Sequence, residues 1–370
     1  MPRCDVSDLT RFIPFLALGM LATAARAQNY QLVDLGTLGS SSLTSSARDI
    51  NNSGQVTGTA EFSSGQTLPF LYSGGTMTGI ADLGGHLGYG MGINDSGQVS
   101  GISFSSAAGH LRAFRYSGGV TQELGTLGGV DSYGYGINAA GHVVGDAYST
   151  NPAGDLAFIH DGTTMASLGS FPGGSAQSFA RGINSFDQVA GYARTASGDT
   201  HPVLYSGGGM LDLGTLGGTS GQGYAINEAG QIVGYAQNAS GVNHPFLYTG
   251  GTMQDLGLLS GTIAGEGWDI NANGWVVGQV TTSGVSTHGF LYRNGSMVDL
   301  NSITNLTGGW VVTKAYGIND NGWIVGEASK NGAKVHAVLL QTPEPATFLV
   351  LGVPALLALR RRKARRAAKV

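Results

Sequence analysis

Apolar and polar positions alternate in short runs along this chain, and glycine cuts each run off. The clearest run is Ile50-Asn51-Asn52-Ser53-Gly54-Gln55-Val56-Thr57-Gly58, and related phrases start at Ile93, Ile137, Ile183, Ile226, Ile270 and Ile318. The asparagines therefore stand at 51, 94, 138, 184, 227, 271 and 319, with spacings of 43 to 48 residues. Self-similarity at this period marks a repeat architecture, and a unit of this size is that of a four-stranded propeller blade.

Each unit reads as four short strands. The first ends at Ile-Asn, and the Asn-x-x-Gly after it tolerates left-handed backbone, which makes a tight hairpin turn. The second is the Gln-Val-Val-Gly segment. An apolar third strand follows at Pro69 to Tyr72, Ala113 to Tyr116, Ala157 to His160, Pro202 to Tyr205, Pro245 to Tyr248, Gly289 to Tyr292 and Ala337 to Leu340. The fourth is expected to end in Asp-Leu-Gly, as in Ala81-Asp82-Leu83-Gly84, Leu211-Asp212-Leu213-Gly214 and Gln254-Asp255-Leu256-Gly257. β-branched and aromatic residues between glycine turns suit strands better than helices.

The two ends of the array decide between an open and a closed form. Gln31-Leu32-Val33-Asp34-Leu35-Gly36 is a fourth strand without its first three, and the seventh unit stops after His336 to Leu340 without its fourth. The missing strand lies at the other terminus. The expected fold is all-β, a seven-bladed β-propeller of four-stranded repeats over residues 28–341, closed by an N-terminal strand that completes the last blade. Closure removes the exposed edges that the runner-up, an open β-solenoid, would have to cap.

The flanks read differently. FIPFLALGMLATAA over residues 12–25 is uncharged and apolar, follows Arg3 and Arg11, and leads into Ala25-Arg26-Ala27. This is the layout of a signal peptide over residues 1–27, with cleavage between Ala27 and Gln28 by signal peptidase. At the other end, residues 342–370 carry Pro343-Glu344-Pro345, an apolar stretch at about 346–359 and an arginine-rich tail at 360–370. The basic tail is expected to stay cytoplasmic, which puts the body on the far side of the membrane.

That tail resembles the PEP-CTERM sorting signal of Gram-negative bacteria. The resemblance implies recognition near Pro343-Glu344-Pro345 by an exosortase-type membrane protease. It also implies a chain that crosses the inner membrane, is anchored transiently through its C-terminal helix, and is then transferred to the cell surface or the extracellular matrix. The body resembles the HAF repeat family of extracellular proteins, in His336-Ala337-Val338-Leu339, in Leu124-Gly125-Thr126-Leu127-Gly128-Gly129 and in the Ile-Asn-x-x-Gly-Gln cores. That family implies an address outside the cell and a repeat fold, and no established reaction.

Charge sharpens the picture of the body. Residues 28–341 hold nine basic and 20 acidic side chains, a net of -11 against -4 for the whole chain. Nucleic acid is excluded as a partner of an acidic body. Cys4, the one cysteine, lies in the leader, so neither a disulfide nor a zinc finger is available.

Candidate chemistry is sparse: no catalytic residue, metal site or cofactor is assigned. Asp269-Ile270-Asn271-Ala272-Asn273-Gly274 opens like a calcium loop, but Val280 stands where the closing glutamate belongs. His201, His244, His288 and His336 occur one per unit and so spread around a ring. The informative departures from the repeat are Trp275 and Trp323, which replace the usual glutamine just after the turn. Trp268 and Trp310 fall in the same two units. Exposed aromatics stack on sugars, so Trp275 and Trp323 are possible contacts for extracellular polysaccharide, against a competing role in packing.

Two functions follow. One is a non-enzymatic surface or matrix propeller that binds glycan or protein; the other is a hydrolase or lyase acting on extracellular polysaccharide. Carboxylates converging with a histidine or tyrosine at the channel mouth would favour the enzyme, and an acid-free polar funnel would favour binding.

Overall fold

The computed structural model describes residues 29–342, apart from 41, 42, 64, 285 and 333. The leader, the cleavage point at Ala27 and Gln28, Pro343-Glu344-Pro345, the apolar stretch at 346–359 and the basic tail lie outside the described residues. Among the described residues no helix is long and apolar enough to cross a membrane.

The chain is all-β, built from four-stranded antiparallel sheets in a propeller-like arrangement. We number the units one to seven by their asparagines. In unit one the strands are Ser45–Ile50, Val56–Ser63, Gln66–Ser73 and Thr76–Gly79. A single parallel pairing, Thr67 with Leu87, joins this unit to the next. In unit seven the strands Trp310–Ile318, Ile324–Lys330 and Val335–Gln341 are followed in space by Tyr30–Gly36 from the other end of the chain. Its register is Gln31 with Gln341, Leu32 with Leu340, Val33 with Leu339 and Asp34 with Val338. The pairing expected across the termini is therefore present. Thr304–Asn305 adds a two-residue parallel strand beyond it.

One expectation needs correcting. The fourth strand of unit one is Thr76–Gly79, so Gly79 takes the place of Asp212, and Asp82-Leu83-Gly84 falls three residues later in the connection to Gly84–Ile93. Asp82 there accepts backbone hydrogen bonds from Gly84 and His86, a local turn that imitates the Asp-Leu-Gly signature.

The core lies between neighbouring sheets. Phe70, Phe114, Phe158, Phe246 and Phe290 occupy one position of the third strand and are fully buried, each contributing about 2–3 kcal/mol of apolar burial. The rings of Phe70, Phe114, Phe158 and Phe290 press on the glycine that ends the repeated phrase. At Gly58 an added Cβ would lie 2.9 Å from Phe70 Cε1 and 2.0 Å from the Ser46 carbonyl oxygen. At Gly145 it would lie 1.8 Å from the Tyr133 carbonyl oxygen. The phrase ends in glycine because two strands and a ring meet there with no room for a side chain.

Candidate functional site

The first strand of every unit carries the same irregularity, and it builds the site. Pairing of first with second strand runs Ala47 with Gly58, then Asp49 with Thr57, which leaves Arg48 as an extra residue. The register slips at the equivalent point in the other six units, at or next to Met91, Tyr135, Arg181, Tyr224, Trp268 and Tyr316. A bulge bends the strand and re-aims the extra side chain. All seven of these residues line one central cavity of about 230 Å³. The bulge is regular, whereas the residue it presents differs from unit to unit.

Two stacks dominate this funnel. Trp268 and Tyr316 lie face to face, with ring centroids 4.5 Å apart and 11° between planes, and the Arg48 guanidinium sits 4.1 Å over Tyr316. Trp268 Nε1 donates to Glu266 at 3.0 Å. Across the funnel Arg181 lies 3.8 Å over the Tyr135 ring and donates to the Tyr192 hydroxyl at 2.7 Å. Its contact with buried Asp146 is longer, 3.5 Å. Burial pushes Asp146 up to about 7 in spite of that arginine, while the phenols and Asp146 hold Arg181 charged. The shorter contacts identify the ring and the phenol as the arginine's principal partners. Burial also pushes Tyr135 up to about 12 and raises Tyr224 further, so the funnel tyrosines are hydrogen-bond donors at neutral pH, not bases.

Asp49, Ile137, Ile183, Ile226 and Asp269 form the waist shared by this cavity and a second one of about 280 Å³ on the turn face, lining both. Each acid clamps two units. Asp49 accepts from the backbone amides of Ile50 at 2.7 Å and Ile93 at 2.8 Å, and Asp269 from those of Ile270 and Ile318, both at 2.8 Å. Desolvation raises both pKa values, and the charge of Asp49 raises Asp269 further. The oxygens that a calcium loop would use at Asp269 are thus engaged by backbone.

At the second cavity the seven asparagines do more than shape turns. Each Oδ1 accepts the amides two and four residues on, as Asn51 does from Ser53 and Gln55. Each Nδ2 donates to the main-chain oxygen of the next asparagine at 2.9 to 3.2 Å, and Asn319 donates to Asn51, so the circuit closes on itself. Just outside, Asp95, Glu228 and Asp320 accept backbone amides from the preceding turn. This mouth is acidic and tied down.

The tryptophans proposed from sequence as glycan contacts, and the repeated histidines, fall outside the funnel. Trp275 packs on the turn of unit seven, where a Cβ on Gly322 would lie 2.8 Å from its ring, and Trp323 packs likewise on Gly54 at 2.7 Å. Both are half-buried on the turn face. The repeated histidines face the fourth-strand acid of their own sheet: His201 with Asp212, His244 with Asp255, His288 with Asp299 and His336 with Asp34, at 2.7 to 3.0 Å. In unit two Arg112 and Glu123 make the same contact. Sequence reading missed the seven bulge residues. They stand at one repeat position, the third residue before each asparagine, but that position varies no more than several others in the unit and so does not stand out.

No family model matches the chain, and no curated protein does. Among solved structures, it is similar to the BP39L lectin from Burkholderia pseudomallei, with 10% identity, a TM-score of 0.48, and coverage of 84% of this chain and 97% of that one. A gluconolactonase from Xanthomonas campestris shares 9% identity at a TM-score of 0.42, covering 87% and 93%. TolB from Acinetobacter baumannii shares 11% at 0.42; the match takes in 66% of this chain and spans about 63% of the length of that protein.

Proposed function

We propose that the chain is a seven-bladed β-propeller, displayed outside the cell, whose funnel binds a glycan without turning it over. The observation that carries this is the bulge layer. The repeat presents seven side chains of four kinds to one cavity, and four of them are aromatic: Tyr135, Tyr224, Trp268 and Tyr316. Aromatic faces with polar edges take up the C–H faces and hydroxyls of sugar rings, and a bulge supported by paired strands holds them still. The Trp268–Tyr316 pair offers the larger surface; Trp275 and Trp323 remain secondary contacts in this reading. Titration of the secreted protein with oligosaccharides from the producer's exopolysaccharide tests it, and heat signals absent from both that series and a broad glycan array would sink it.

The address belongs to the same proposal. We take residues 1–27 as a leader removed at Ala27, residues 342–370 as a PEP-CTERM-type sorting signal processed near Pro343-Glu344-Pro345 by an exosortase-type protease, and the body as a HAF-type repeat protein of the cell surface or matrix. Mass spectrometry of the mature protein, with cell fractionation, reads both cleavages at once.

A hydrolase or lyase is the second reading, and one observation favours it: Asp49 and Asp269 line a cavity that also holds tyrosines, and Glu266 bonds Trp268 on its wall. Against it, both waist acids are clamped by backbone amides and the phenols stay protonated at neutral pH. Product release from the bound oligosaccharide that disappears in Asp49→Asn or Asp269→Asn would decide for the enzyme.

A further inference from the structure

We infer that the glycan is carboxylated and that Arg48 receives its carboxylate. This rests on the glycan reading above and names the ligand class that the funnel selects. The argument starts from two arginines in one cavity. Arg181 is already engaged by Tyr135, Tyr192 and Asp146. The guanidinium carbon of Arg48 lies 4.1 Å from the Tyr316 ring centroid, and among the described residues the group makes no hydrogen bond or ion pair. A guanidinium carries five N–H donors in a planar fork that matches a carboxylate edge-on. The ring contact leaves its N–H donors without a partner among the described residues.

The acids near Arg48 already have partners. Asp49 is engaged by the amides of Ile50 and Ile93. Glu61 accepts from the Thr44 amide at 2.8 Å, and Glu327 accepts from Ser46 Oγ at 2.8 Å and lies 3.2 Å from Lys314 Nζ. The net charge of -11 on the body repels a polyanion at long range, so any preference for acid has to come from contact.

A second observation points the same way. Arg48 also lines a side cavity of about 290 Å³, shared with Thr59, Thr67, Glu61, Glu327 and Tyr89. Thr59 Oγ1 and Thr67 Oγ1 are buried there without a hydrogen-bond partner. Buried hydroxyls are normally satisfied, and these two border the space into which a chain held at Arg48 would continue. A uronate unit fits against the outer edges of Trp268 and Tyr316, whose facing surfaces are closed by the stack, with its carboxylate at Arg48 and the next sugar in the side cavity that Thr59 and Thr67 wall.

The test is calorimetry on the full secreted chain with three oligosaccharide sets of equal length: oligouronates, neutral glucans and sulfated glucans. Oligouronates should bind at least tenfold tighter than neutral chains, as one charge-assisted hydrogen-bonded pair predicts. Arg48→Gln should bring that ratio to about one, Arg48→Lys should restore part of it, and Thr59→Val should weaken oligouronates severalfold, with circular dichroism checking that each variant folds. Equal affinity for uronate and neutral chains overturns the inference and leaves the glycan reading standing. So does a loss in Arg48→Gln that is the same for both, since Arg48 would then only support the stack. Tighter binding of the sulfated set overturns the carboxylate assignment, and silence from all three sets removes the glycan reading as well.

Discussion

The two mouths of the channel are made by the same strands and follow opposite rules. On the turn face every unit contributes the same asparagine, each of these residues engages both its own turn and its neighbour, and the circuit runs from Asn51 round to Asn319 and back. On the funnel face every unit contributes the same bulge, and the residue on it is Arg, Met, Tyr, Arg, Tyr, Trp or Tyr. The turn face is fixed by hydrogen bonds that tolerate one residue type. The funnel is fixed by backbone, which leaves the side chain free to vary. On the proposed reading, stability and recognition are thereby assigned to different ends of the same strands.

The largest effect that would break this comparison is on stability. Asn319→Ala removes acceptors for the amides of Asn321 and Trp323 and the donor that closes the ring on Asn51. Buried groups left unpaired cost about 1–3 kcal/mol each, so the variant should lose about 3 kcal/mol in urea unfolding. Tyr224→Phe in the funnel removes one hydrogen bond, to Gln222, and should lose about 1 kcal/mol. Equal losses would mean that the funnel is as much a structural device as the ring.

Binding should show the reverse order. Trp268→Ala deletes half of the 4.5 Å stack and should weaken the oligosaccharide about tenfold or more, by roughly 1.4 kcal/mol or above. Trp275→Ala and Trp323→Ala should leave affinity within about threefold and lower stability by roughly 2 kcal/mol instead, because each ring packs on a glycine turn of the next unit. Loss of binding in these two variants, with Trp268→Ala unaffected, would move the site to the turn face, where the sequence alone first suggests it.

Why the sequence drew attention to the turn face and not to the funnel has a physical answer. The fold was legible because its determinants repeat: Asn-x-x-Gly turns, a glycine where Phe70 and the Ser46 carbonyl leave no room, and a terminal strand whose partner is missing until Tyr30–Gly36 meets Val335–Gln341. Where a local turn copies a strand signature, as at Asp82-Leu83-Gly84, the reading slips by three residues. The funnel was hidden for a different reason. A bulge is an event of strand pairing, and nothing in Arg48 or Tyr316 announces that the residues on either side will pair with consecutive partners. Trp275 and Trp323 stood out because they break a conspicuous phrase. Met91 and Trp268 lie at a position where no phrase exists to be broken.

The smallest effect sharpens the comparison through pH. Asp49, Asp269, Asp146 and Glu266 all have folded-state pKa values raised first by desolvation. A raised carboxyl binds its proton more tightly when folded, so its contribution is complete below the unfolded value near 4 and is lost as pH rises through the folded value. Exposed Asp161 runs the other way, held below the usual carboxylate range by the amides and hydroxyls of Thr163 and Thr164, so its contribution is lost only in acid well below pH 5. Between pH 8 and pH 5 the channel acids set the trend, and stability should rise by about 1–2 kcal/mol as pH falls. Asp146→Asn keeps the contacts of Arg181 with Tyr135 and Tyr192 and should flatten that slope. Urea unfolding of wild type and variant at pH 5 and pH 8 measures it, and a wild-type curve that falls toward pH 5 would show that the channel carboxylates are hydrated and that both mouths, contrary to the contrast drawn between them, are open to water alike.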